Sequence, residues 1–118
     1  MATANLTTSI RKIDMATSII DVKGDINAQA EATLMNAYAQ AGGGGTRSII
    51  LNFNGLDYMN SSGIGLLVML LVRVKRQNQR LLAYGLNDHY RQIFELTRLN
   101  EAISIYPGEP ESLKAATL

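Results

Sequence analysis

Apolar positions along the chain change period several times, and each change marks a predicted element. Residues 6–13 and 15–26 are rich in β-branched side chains (Thr7, Thr8, Ile10, Ile13, then Thr17, Ile19, Ile20, Val22), which predicts two strands. Ile20, Val22 and Ile26 share one parity and are expected to face a common core, with Gly24-Asp25 breaking the run. Residues 28–41 then turn alanine-rich. Leu34, Tyr38 and Ala41, with Ala30 and Ala37 beside them, form a helical stripe, and Asn27 stands where an N-cap belongs. The four glycines at 42–45 end this helix and predict a surface loop, because the flanks are too short to be separate domains.

Residues 48–53 are almost continuously apolar, the pattern of a strand buried on both faces. A second helix is predicted from about 62 to 77. Its first half is apolar nearly all round, so burial against the sheet and a neighbouring helix is expected. Gly63 and Gly65 in its first turn lower helix propensity by roughly 1 kcal/mol each, which implies a close backbone approach there. A fourth strand is expected at 80–85. A third helix comes next, capped by Asn87 or Asp88, with Tyr90, Ile93, Phe94 and Thr97 at helical spacing. Residues 102–106 read as a fifth strand ended by Pro107-Gly108, and a last amphipathic helix from about Pro110 carries Leu113 and Ala116. The alternation predicts one α/β domain over residues 1–118, with a mixed, mostly parallel sheet of four to five strands and about four flanking helices.

Composition narrows the chemistry. With no cysteine and a single histidine, His89, disulfides, thiol catalysis and histidine or cysteine metal clusters are excluded, and no cofactor is implied. A net charge of +1 gives no general attraction to nucleic acid or anionic membranes. Arg73, Lys75, Arg76 and Arg80 cluster at the end of the second helix, where cations complement the helix dipole. The start of the chain, residues 1–11, is polar and lacks the apolar centre of a signal peptide, and the apolar run at 64–72 is too short to span a bilayer. A soluble, cytoplasmic protein is expected.

The segment Asp57-Tyr58-Met59-Asn60-Ser61-Ser62-Gly63-Ile64-Gly65 holds the candidate chemistry. It is expected to form a turn between the buried strand and the second helix, displaying Ser61 at a helix N-terminus, where N–H groups and the dipole favour negative charge. The residues alone leave two roles open for Ser61: a cap for free N–H groups, or a phosphoacceptor whose modification adds about −1.5 to −2 charges. Ser62 is expected to turn into the helix. A hydrolase triad of Asp57, Ser61 and His89 is disfavoured, since no glycine stands two places before either serine. Gly63-x-Gly65 lacks the third glycine and the Lys-Ser/Thr of a nucleotide loop. Met59 reads as a core or edge filler that could join an adaptable contact.

With these residues in hand, the chain resembles the STAS domain of sulfate transporters and bacterial anti-sigma factor antagonists. The likeness rests on the Gly24-Asp25-Ile26-Asn27 turn, on residues 51–65 with their aromatic-Met pair followed by the serine signature, and on residues 82–99 with the Phe94-Glu95-Leu96-Thr97-Arg98-Leu99 ending. The resemblance implies that Ser61 is phosphorylated by a cognate anti-sigma factor serine kinase, and that a serine phosphatase reverses the step. It also implies that the unphosphorylated form binds the kinase through Asn27, Met59, Asn60, Ser61, Ser62, Gly63 and Gly65. The family pattern has acidic residues where this chain has Asn60 and Asn27, so the surface lacks two expected negative charges. The other reading of the resemblance is a scaffold or ligand-sensing module without a phosphorylation cycle.

Overall fold

The computed structural model describes residues 5–117; the first four residues of the polar start and the last residue of the expected 1–118 domain lie outside it. Strands β1 (Leu6–Lys12), β2 (Thr17–Ile26), β3 (Ser48–Met59), β4 (Arg80–Tyr84) and β5 (Ser104–Tyr106) form one sheet in the order of the sequence. β1 pairs antiparallel with β2, and β2, β3, β4 and β5 are mutually parallel. The parallel connections are made by α1 (Glu31–Ala41), by α2 (Ser61–Arg76), and by α3 (Asp88–Leu96) with the single turn α4 (Leu99–Ala102). Crossovers of one hand that always step the same way along a sheet must lie on one face. The main core forms there, with Ile20, Val22, Ile49, Leu51, Phe53, Leu81 and Ala83 beneath Leu34, Leu67, Leu70 and Phe94.

The opposite face is covered by α5 (Glu109–Ala116), over a smaller cluster of Ile19, Ile50, Leu82 and Tyr84. A polar clamp fastens the start of this helix. Arg11 Nε lies 2.7 Å from Asp21 Oδ2, Arg11 Nη2 lies 2.7 Å from Glu109 Oε1, and the buried Tyr84 hydroxyl donates to the same Glu109 oxygen at 2.7 Å. Hydrogen bonds from Arg11 are the main cause that holds both the Asp21 and Glu109 carboxyls below their ordinary values of 3.8 and 4.5, while burial is the main cause that pushes the Tyr84 phenol up to about 12. A carboxylate with a lowered folded pKa adds stability above its unfolded pKa and loses it as pH falls. Stability from the clamp is therefore expected to be complete above about pH 5 and to fall away below pH 4. Urea melts should show it: Glu109→Gln should lose less stability between pH 6 and pH 3 than the wild type does.

Three expectations need correction. β3 runs to Met59, six residues beyond the expected end, so Asp57, Tyr58 and Met59 belong to the strand and Asn60 alone joins it to α2. Register shifts against β2 between Asp21 and Lys23 and between Gly24 and Asp25 mark where this half departs from regular pairing. The Gly24-Asp25 break is one of these irregularities inside β2: Gly24 takes φ +109° and a Cβ there would strike the carbonyl of Asn5. The third helix ends at Leu96, because Arg98 adopts a left-handed conformation (φ 61°) before α4 begins.

Candidate functional site

The site forms where β2 and β3 end side by side, at the carboxyl ends of parallel strands, where open α/β sheets place their binding surfaces. Ile26 pairs with Met59, so Asn27 and Asn60, each one residue on, become neighbours. Both have extended backbone, and each caps the helical turn after it. Asn27 Oδ1 accepts from Gln29 N at 3.0 Å, at the head of a short 3₁₀ turn. Asn60 Oδ1 accepts from Gly63 N at 3.0 Å, at the head of α2.

The cap on α2 is therefore Asn60. Ser61, the first residue of the helix, is exposed, and its hydroxyl has no hydrogen-bond partner among the described residues. That removes the capping role the residues alone had left open for it. Ser62 is likewise exposed in the first turn. No acidic side chain stands in that turn, so the N–H groups and dipole at this end are not offset by a local carboxylate.

Two of the residues expected to meet a partner lie beneath the surface. Met59 is 5% exposed, and its backbone N–H donates to the Tyr90 hydroxyl at 2.8 Å. Gly63 is buried: a Cβ there would collide with the carbonyl oxygen of Ile26 and come within 2.8 Å of Met59 Cγ. The close approach expected at Gly63 is real, whereas a Cβ at Gly65 would meet nothing within 4 Å. Gly65 instead leaves a bare, exposed stretch of helix backbone.

Burial of α2 also differs from expectation. Gly63, Leu66, Leu67, Leu70 and Val74 face the core, but Val68, Met69 and Val72 are 42%, 37% and 44% exposed. Ser61, Gly65, Val68 and Val72 succeed one another at i, i+4, i+7 and i+11, so a single apolar stripe runs down the helix from the serine. Beside Ser61 a notch of about 300 Å³ opens between α2 and α3, lined by Met59, Asn60, Ser61, Ile64, Ile93 and Thr97. Leu96, 84% exposed, stands at the end of α3.

Sequence reasoning missed Tyr90 and the stripe. Tyr90 was legible only as an apolar helix position, although a buried tyrosine needs a partner for its hydroxyl. The stripe was hidden because an all-round apolar helix reads the same whether or not one side is covered. Asp57 and His89 are exposed on separate elements, with the His89 ring edge-on to Tyr90, and no hydrogen bond joins either to Ser61. Among the described residues no group of histidine and carboxylate side chains could share a metal, and no helix is long and apolar enough to cross a membrane.

Known proteins share this family and fold. The STAS domain family matches residues 8–112. The anti-sigma-B factor antagonist of Staphylococcus aureus (strain NCTC 8325 / PS 47) is 33% identical over 64 residues, which are 54% of this chain and 59% of that protein. The chain thus spans less than two thirds of the length of the curated relatives it matches. An anti-sigma factor antagonist from Mycobacterium paratuberculosis shares the fold at a TM-score of 0.78 and 17% identity, covering 99% of this chain and 100% of that one. The Bacillus cell fate determinant SpoIIAA, in its phosphorylated form, shares it at 0.65 and 22% identity, covering 92% and 98%. With the family match running from β1 into α5 and the architecture common to both ends, the chain belongs to the STAS domain family.

Proposed function

We propose that this chain, residues 1–118 acting as one domain, is an anti-sigma factor antagonist that works by partner switching. It binds an anti-sigma factor serine kinase while Ser61 carries a free hydroxyl and releases it once Ser61 is phosphorylated; a serine phosphatase restores binding. It is a binding regulator and not an enzyme, and it acts in the cytoplasm beside its kinase. The observation that carries this reading is the exposed, unpartnered Ser61 hydroxyl at the head of an uncovered apolar stripe. A docked partner would cover both, so a dianion on Ser61 would have to be desolvated inside the contact. The free helix N-terminus meanwhile tolerates the charge in the released form, so the switch need not unfold the domain.

A second reading has its own observation. Asn60 and Asn27 stand together where the family pattern has acidic residues, and both are occupied as caps. A scaffold or ligand-sensing module without a phosphoryl cycle would need no more than the same docking face. The experiment that separates the two is incubation with each anti-sigma kinase of the same genome and ATP, followed by peptide mass spectrometry. Partner switching predicts one phosphate, on Ser61, and none in Ser61→Ala. Binding to one of those kinases with Ser61 left unmodified would leave the scaffold reading standing.

A further inference from the structure

The other end of the sheet has a row of polar side chains that the Ser61 site does not use. Strands β2, β3 and β4 begin side by side there, with Thr17 paired to Ser48 and Ser48 to Arg80. In-register residues of parallel strands point to one face, and these three precede Ile19, Ile50 and Leu82 by two positions. The row therefore lies on the α5 face, at the foot of the smaller core. With Asp14 and Arg47 it lines a cleft of about 510 Å³.

Both residues are nearly enclosed, and both line the cleft. Thr17 is 2% exposed, and its side chain has no hydrogen-bond partner among the described residues. Ser48 is also 2% exposed, and its Oγ has only two long contacts, to Ala116 O and Arg80 Nη2, each at 3.5 Å. No fully buried side-chain nitrogen or oxygen among the described residues lacks a partner, so the unpartnered Thr17 hydroxyl opens on the cleft. Arg80 Nη2 also donates to Ala115 O at 2.8 Å, which leaves the Nε and Nη1 donors of its guanidinium without a partner among the described residues. Neither Arg47 nor Arg80 forms an ion pair with a carboxylate among the described residues, and Asp14 on the wall already accepts from Ala16 N at 2.8 Å.

We propose that this cleft binds a phosphate-class oxyanion, either inorganic phosphate or the head of a phosphate monoester. The guanidinium groups of Arg47 and Arg80 supply charge and forked donors, and Thr17 and Ser48 supply hydroxyl donors to the remaining oxygens. Asp14 sharpens the choice. A phosphate titrates near neutrality and can donate its proton to a carboxylate, whereas sulfate has none to give. Charge-assisted hydrogen bonds of this kind carry roughly ten- to hundredfold in affinity each. The site lies at the start of β3 and Ser61 beyond its end, so it does not rest on the partner-switching reading.

The test is a titration of the full chain, followed by amide NMR, with sodium phosphate, glycerol 3-phosphate and sodium sulfate at constant ionic strength. Expected are saturable shifts at Ala16, Thr17, Ser48 and Arg80, none at 60–65, and sulfate at least tenfold weaker. Tighter binding of glycerol 3-phosphate assigns the site to a monoester, and tighter binding of phosphate assigns it to the free ion. Arg47→Gln, at an exposed side chain, and Thr17→Val, which keeps the side-chain shape, should each weaken binding about tenfold or more while leaving thermal melting unchanged. Non-saturable shifts, equal response to sulfate, or unaltered affinity in both variants would overturn the proposal.

Discussion

Under the proposed partner switching, a Ser61→Asp chain is expected to bind an anti-sigma kinase at least about a hundredfold more weakly than the wild type, a loss of roughly 2.7 kcal/mol. Ser61→Ala is expected to bind as well as wild type and to resist release by ATP. The argument is one of environment. Ser61 heads the stripe of Gly65, Val68 and Val72, so a partner seated there removes water from the serine as well as from the valines. A carboxylate in that contact must be desolvated, and without a cationic partner desolvation costs several kcal/mol. The isolated domain feels the opposite effect: a negative charge in the first turn of a helix is stabilising by about 0.3–1 kcal/mol. The same substitution should therefore leave thermal melting unchanged or slightly raised while abolishing docking. Titration calorimetry and a melting curve on one preparation read both. Equal binding by the Ala and Asp variants would sink the switch and favour the scaffold.

Much of the fold is legible in the sequence. β-branched content, short apolar runs and period-3.6 stripes locate all five strands and the principal helices, because Ile20, Val22, Leu51, Phe53 and Phe94 are in the core and have little freedom to be elsewhere. The serine signature is likewise found from its place between strand and helix. What escapes does so for physical reasons. The second half of β3 is irregular, held by pairing with β2 at Gly55, Leu56 and Tyr58, and pairing leaves no periodic trace in a strand's own residues. Asn60 and Ser61 are both good capping types, and only backbone geometry decides which of two neighbours is the cap. The apolar stripe on α2 reports an unfilled surface, which depends on the rest of the fold and not on the helix itself. The Arg11 clamp joins residues nearly a hundred positions apart, beyond the reach of any local pattern.

Gly63→Ala is expected to destabilise the domain by about 2–3 kcal/mol, on the order of 10 °C in melting temperature, despite replacing a poor helix former with the best one. At an open helix position the exchange would gain roughly 1 kcal/mol. Here the new methyl meets the carbonyl of Ile26 and the side chain of Met59, and the first of these is backbone that cannot turn aside. Gly65→Ala is the matched control. Two residues further along the same helix, a methyl would meet nothing, so that variant should be more stable than wild type by about 0.5–1 kcal/mol. It should nevertheless dock less well, because the methyl rises from the bare backbone between Ser61 and Val68. One glycine thus fixes how closely α2 seats against the end of β2. The other keeps the proposed docking face flat. A Gly63→Ala chain as stable as the wild type, or a Gly65→Ala chain that binds unchanged, would show that the glycines do not divide these roles.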